Sequence, residues 1–302
     1  MTNDGIINIY KEKGYTSHDV VAIIKRTLKI KAGHTGTLDP EAEGVLPVCL
    51  GKATKLADYI QGGTKGYRAL LRLGIETDTQ DMTGNIICQK DEIPHRDEIL
   101  KAILSFAGEQ EQIPPMYSAI KVSGQKLYEL ARKGVEIERK PRAIHIYAIE
   151  NIEFINDYTI SMDVLCSKGT YIRTLCHDIG KLLGCGGCME ALTRIQCGKF
   201  FIKDSIKLEV IKELAEKGDI ESIIIPPDEA LYNMKSIFVR EEANKYLYNG
   251  NKISTGYLFD KTGLASEERY KLYNYEKKFI GIYKLEGEFV KPVTILTDLS
   301  NI

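Results

Sequence analysis

The chain has 302 residues, 43% of them hydrophobic and 27% charged, with a formal net charge of −1 at pH 7. That length accommodates one large domain with or without a small companion, and the balance is that of an ordinary globular protein. No apolar run approaches the roughly 18 residues of a membrane span, residues 1–5 lack the basic flank and apolar core of a signal peptide, and a near-zero charge excludes a broadly basic nucleic-acid coat.

A cytosolic protein whose seven cysteines stay thiols is therefore expected. Any basic footprint must be local. Candidates are Lys25, Arg26, Lys29 and Lys31, then Lys65, Arg68 and Arg72, then residues 132–142, and each also reads as a solvated face.

In chain order, residues 5–10 form a β-rich run, and a turn at Lys11-Glu12-Lys13-Gly14 leads into a helix. Thr16 or Ser17 is its N-cap, and Val20, Val21, Ile24 and Leu28 share a face. A loop follows around Asp39, then a short helix over 53–60. Residues 66–74 alternate as a half-buried strand: Tyr67, Ala69, Leu71 and Leu73 face one way, Arg68 and Arg72 the other, where they are open to phosphate. Residues 97–106 and 126–133 are helical. The segment from Pro114 to Lys121 is extended, and the polar stretch 135–142 reads as a mobile loop. Residues 144–155 and 158–166 make a hairpin, and 170–183 is a helix stopped by Gly184. After a helix over 207–217 and a linker at 225–228 comes a tail of short β runs. Without a βαβ rhythm, the class is α+β: a mixed, mainly antiparallel sheet with packed helices and a small β-rich C-terminal domain.

The most informative stretch is Gly33-His34-Thr35-Gly36-Thr37-Leu38-Asp39-Pro40, running on to Gly44-Val45-Leu46-Pro47. Glycines permit unusual backbone angles, and proline stiffens its surroundings. Asp39 is thus displayed on a tight loop, as a turn cap or as a nucleophile or general base. Cys185-Gly186-Gly187-Cys188, with Cys176, His177 and Cys197, invites a metal reading. Only one pair has ligand spacing, and the adjacent Cys176 and His177 point apart on a helix, so no metal is expected. Residues 44–52 echo a P-loop, but Leu46 stands where a first glycine is needed and Ala53 replaces the Ser/Thr that should follow.

The run G-H-T-G-T-L-D-P-E-A-E-G-V-L-P-V-C-L-G-K-A-T-K over residues 33–55 resembles the signature of the bacterial TruB-type tRNA pseudouridine synthases. Lys65-Gly66-Tyr67-Arg68, Pro114-Pro115-Met116-Tyr117-Ser118-Ala119-Ile120-Lys121 and Ser167-Lys168-Gly169-Thr170-Tyr171-Ile172-Arg173 follow in the family's order, and the likeness runs from about residue 5 to the C-terminus. Glu12 departs from it, standing where members usually carry proline. The resemblance implies the pseudouridine synthase fold over 1–230, with a mobile thumb-like loop at about 124–142, and a PUA-like RNA-binding domain over 231–302. It also implies isomerisation of uridine 55 in the T-loop of tRNA, by a stand-alone monomer without cofactor.

Residue by residue, the likeness makes Asp39 the catalytic acid, attacking C1′ of the ribose or C6 of the base, or assisting a glycal route. Arg173 becomes its ionic partner, and Tyr67 the ring that stacks on the uracil or, as the alternative, the phenol that passes a proton. Tyr171 and Leu192 become apolar walls, and His34 fills the space of the extruded base. Lys55 and Lys121 become phosphate or pocket contacts. Read blandly, these are a surface arginine, core residues, a turn histidine and solvated lysines. Two rival functions are a non-catalytic tRNA-binding or tRNA-folding protein, and the same chemistry on another RNA.

Overall fold

A computed structural model describes residues 4–118, 120–122, 124–247 and 249–296, leaving aside the side chains of Lys121 and Lys126. The architecture is α+β: a ten-stranded mixed sheet with helices packed on it, and a separate five-stranded sheet built from residues 236–295. The main path of the large sheet runs Ile206–Lys207, Gly5–Lys11, Glu43–Leu50, Gly187–Cys197, Lys65–Leu73, Thr159–Cys166, Arg142–Phe154, Gly108–Gln112. All neighbours on that path are antiparallel except at Ile206–Lys207 against Gly5–Lys11 and at Gly187–Cys197 against Glu43–Leu50. No helix among the described residues is long and apolar enough to cross a membrane.

The sheet has a seam. Glu43–Leu50 pairs over residues 44–50 with Gly5–Lys11, but meets Gly187–Cys197 at two register pairs, Thr193 with Glu43 and Arg194 with Gly44. On one side of the seam, helices Ser17–Leu28 and Leu208–Lys217 bury Val20, Ile24, Leu208 and Ile211 against Ile7, Ile9, Leu46 and Val48. On the other, helices Arg96–Leu104 and Ile172–Leu182 bury Ile99, Ile103, Leu175 and Ile179 against Leu71, Ile160 and Met162.

Two central strands of the large sheet lie where no strand is expected from the sequence. Glu43–Leu50 continues out of the Asp39 loop despite Pro47. Pro47 is tolerated because its carbonyl accepts from Thr35, on the edge facing away from Gly5–Lys11. In an extended strand a residue's N–H and C=O share one edge, so the missing donor takes no bond from the Gly5–Lys11 ladder. Gly187–Cys197 sits at the centre of the sheet, yet register shifts at 189–191 and 194–196 break its alternation. The short helix expected over 53–60 divides into a 3₁₀ turn, Gly51–Leu56, and an α-helical turn, Ala57–Gln61.

Thr16 is the N-cap of the first helix. Its Oγ1 accepts from Asp19 N–H at 3.0 Å, and the Asp19 carboxylate accepts from Thr16 N–H at 2.8 Å. The segment 225–228 is tied down rather than free. Ile225 exchanges backbone hydrogen bonds with Ile6 at 2.9 and 2.8 Å, and Asp228 accepts from the Tyr273 hydroxyl at 2.9 Å. Phe200, Ala230 and Leu231 share a buried cluster with Ile282 and Leu296, so the small sheet packs on the large one. The strand Lys65–Leu73 alternates as expected, but its basic side is spoken for. Arg68 grips Asp163 with two bonds of 2.8 Å, and Arg72 donates to Thr159 at 3.2 Å and lies over the Tyr158 ring.

Candidate active site

Almost every residue of the Asp39 loop has an anchor. Thr35 donates through its amide and its hydroxyl to Pro47 O (3.1 and 3.3 Å). Leu38 is buried, its N–H donating to Ser17 Oγ at 2.8 Å while Ser17 Oγ donates back to Leu38 O at 3.1 Å. Asp39 O accepts from Ala42 N–H, and Pro40 O accepts from Gly14 N–H. Beneath the loop lies Lys11, fully buried, its Nζ donating to Tyr15 O (2.6 Å), Glu12 O and Pro40 O (both 3.2 Å). The Asp39 side chain itself stays 46% exposed. An anchored loop thus presents a half-exposed carboxylate.

Arg173 faces it across the sheet, with Nη2 and Asp39 Oδ2 3.1 Å apart. Arg173 is the second residue of helix Ile172–Leu182, whose N-cap is Tyr171. Gln112 fixes that corner with a two-way amide clamp, accepting from Tyr171 N–H at 2.8 Å and donating to Tyr171 O at 3.0 Å. The guanidinium is buried and shared. Nη2 also donates to Tyr117 O at 2.8 Å, while Nη1 faces Thr79 O (3.4 Å) and Asp81 Oδ2 (3.7 Å). Charge and orientation are therefore both fixed before any ligand arrives.

Tyr67 is half-buried, and burial pushes its phenol up to about 12, against the opposing pull of the nearby Arg194. Tyr171 is likewise raised by burial. Leu192 is a core residue, paired in register with Ala69. His34 Nδ1 accepts from Gly36 N–H at 3.3 Å, and His18 meets its ring edge-on at 5.3 Å. Burial, His18 and Arg194 all lower the His34 pKa, so the imidazole is neutral at pH 7. Lys55 points elsewhere: its Nζ donates to Ile295 O in the small sheet at 3.0 Å. The Lys121 side chain lies outside the described residues.

Three further residues belong to the site. Asp81 caps its own loop through Thr79 and Thr83 before reaching Arg173. Its signal was the turn-rich Asp78-Thr79-Gln80-Asp81-Met82-Thr83-Gly84-Asn85 between two short strands, Ile75–Thr77 and Ile86–Gln89. Arg194, 1% exposed, donates to backbone carbonyls of the Asp39 loop. Nothing in the pattern of residues 187–197 announces it. Lys11 was visible only as a turn residue.

Cys176, Cys185 and Cys188 are buried, and the Cys188 sulfur lies 3.4 Å from that of Met82. Among the described residues, no group of three or more potential ligands is arranged to hold a metal.

Lys11 yields a stability prediction. Burial lowers its ammonium from the ordinary 10.5 to about 8. Between those values the unfolded chain holds a proton that the native chain has released, so Lys11 makes stability rise with pH across that window. Lys11→Met removes that rise and leaves three carbonyls short of a donor, at a cost of about 2–4 kcal/mol. Urea unfolding measured from pH 7 to 10.5 checks both.

Two solved structures share this architecture. An H/ACA ribonucleoprotein bound to a substrate RNA containing 2′-deoxyuridine matches at 26% identity and a TM-score of 0.75, covering 98% of this chain and 86% of that one. A Cbf5-Nop10-Gar1 complex matches at 27% identity and a TM-score of 0.78, covering 99% and 86%. The fold is that of the pseudouridine synthases.

The sequence pattern of the TruB family pseudouridylate synthase N-terminal domain matches residues 25–172, and that of the tRNA pseudouridylate synthase B C-terminal domain matches residues 173–232. The tRNA pseudouridine synthase B of Alkaliphilus oremlandii is 50% identical over 296 residues, covering 97% of each chain. That of Clostridium perfringens is 47% identical over 299 residues, covering 98% of this chain and 99% of its own. The chain belongs to the TruB family.

Proposed function

We propose that this chain isomerises uridine to pseudouridine at position 55 in the T-loop of tRNA, as a monomeric cytosolic enzyme needing no obligatory protein partner. The observation that carries the reading is Asp39, held on an immobilised loop 3.1 Å from the buried Arg173. The catalytic domain spans residues 1–230. Residues 231–302 form a PUA-like RNA-binding domain, and residues 124–142 a thumb-like loop that closes on the T-arm.

The reaction breaks the N1–C1′ bond, turns the uracil, and joins C5 to C1′. The C5 proton leaves to solvent and N1 gains one, so atoms balance without oxidant, reductant or cofactor. Asp39 splits the hard step by acting as nucleophile at C1′ or C6, or by assisting loss of the ribose 2′ proton. Arg173 aims the carboxylate. The target base must leave its stack to reach Asp39, and the neutral imidazole of His34 fits the space it vacates without adding charge. Tyr171 and Leu192 supply apolar walls.

With its phenol pushed up to about 12, Tyr67 stays protonated through neutral and mildly alkaline pH, which favours stacking over proton abstraction. Tyr67→Ala is expected to lose on the order of 10–100-fold in rate, the worth of a base–aromatic stack. Tyr67→Phe is expected to keep more activity than Tyr67→Ala, and the wild-type pH–rate profile to show no Tyr67 limb below pH 10. Equal losses in the two variants would move the hydroxyl into the chemistry.

The deciding experiment uses tRNA tritiated at uridine C5. Stoichiometric tritium release that maps to position 55, on whole tRNA and on an isolated T-arm stem-loop, is expected. Release from another position, or none, refutes the assignment.

A further inference from the structure

We propose that Arg194 is a positioning residue for this isomerisation, holding the loop that carries Asp39 at a fixed spacing from Tyr67. The proposal rests on the function given above. Arg194 sits at the seam of the large sheet, in register with Gly44 on one side and with Tyr67 on the other. The strands approach closely there: a Cβ added to Gly44 would stand 2.3 Å from the Arg194 carbonyl oxygen, and Gly44 has φ +102°. The guanidinium then reaches back over the crossing. Nε donates to Val45 O at 2.6 Å, Nη2 to Gly36 O at 3.1 Å, and Nη1 to Thr37 O at 3.5 Å. Two of those carbonyls precede Asp39 and one follows it, so a single side chain closes the neck of the loop. On its other edge, the strand that carries Arg194 pairs it in register with Tyr67.

Among the described residues no carboxylate forms an ion pair with Arg194. Burying a cation without one is costly, and an apolar residue would fill the seam without that cost. What arginine adds is a rigid planar fork of donors, which an ammonium lacks. The fork ties the neck of the Asp39 loop to the strand that pairs with Tyr67, and an error of about 1 Å in such an arrangement costs roughly 100-fold in rate.

The test measures single-turnover pseudouridine formation on T-arm stem-loop RNA by the full chain, by Arg194→Lys and by Arg194→Met. RNA affinity is measured in parallel on Asp39→Asn versions of each, and folded fraction by circular dichroism. Arg194→Lys is expected to fall roughly 10–100-fold in rate, and Arg194→Met at least as far, without a matching loss of affinity or folded fraction. Arg194→Lys turning over at the wild-type rate overturns the proposal, as does a rate loss explained by affinity or unfolding. A wild-type chain without turnover overturns the function itself instead. Should neither variant fold, nitrogen-labelled arginine in the unaltered chain decides. The Arg194 Nε–H is expected to be protected from exchange in the free protein, and exchange at the pace of a surface arginine overturns the clamp.

Discussion

Asp39→Asn is expected to abolish isomerisation, lowering the single-turnover rate on the order of 10⁴-fold or more, the scale on which removing a nucleophile acts. The change is isosteric, but an amide neither attacks carbon usefully nor takes a proton. Folding should hardly notice. The loop's anchors run through backbone groups at Thr35, Leu38, Asp39 and Pro40 and through Ser17 and Lys11, none of them through the Asp39 carboxylate. Arg173 also keeps Tyr117 O, Thr79 O and Asp81. Tritium release together with T-arm RNA binding makes the check. Activity gone with binding intact is the expected pattern. A variant that still makes pseudouridine removes Asp39 from the chemistry, and a wild-type chain that binds without turnover leaves a non-catalytic RNA-binding protein.

The second largest effect belongs to Arg173. Arg173→Met takes the cation from between Asp39 and Asp81, so that two carboxylates face a space with no positive charge. It also leaves the carbonyls of Thr79 and Tyr117 without a donor. A rate loss of roughly 10²–10³-fold is expected from the lost orientation, with about 1–3 kcal/mol of stability lost through the unpaired buried groups. Arg173→Lys restores charge but not the planar fork, and cannot reach all four acceptors at once. It should recover most of the stability and little of the rate. Thermal unfolding beside single-turnover kinetics separates these outcomes. If Arg173→Lys regains full rate, charge alone suffices and the geometry is incidental. Because the guanidinium is buried, added salt should not mimic either variant.

The outer parts of the fold could be read from residue pattern. The capped helix after Thr16, the 142–166 hairpin and the helix carrying Arg173 all announce themselves through period and turn chemistry. The centre could not. Glu43–Leu50 carries a proline, which argues against a strand unless the edge it disturbs is known. Gly187–Cys197 is bulged twice and buries an arginine, so neither alternation nor apolar content marks it. The site divides the same way. Asp39 and Arg173 are found by motif, and their loop and helix by Gly, Pro and periodicity. Asp81 reaches Arg173 and Arg194 reaches Gly36 across more than 90 and 150 positions respectively, which only the packed chain brings together. Arg68 shows the converse. A basic face on a strand looks open to phosphate until Asp163, on the neighbouring strand, closes over it.

The tie between segment 225–228 and both sheets has a consequence for recognition. Ile225 is laced to Ile6, Tyr273 to Asp228, and Lys55 to Ile295, so the small sheet is mounted on the large one as a fixed bracket. Under the proposed function, RNA held by that sheet would lie a set distance from Asp39. The target uridine is then expected to be chosen by span as well as by sequence, as if the protein carried its own ruler.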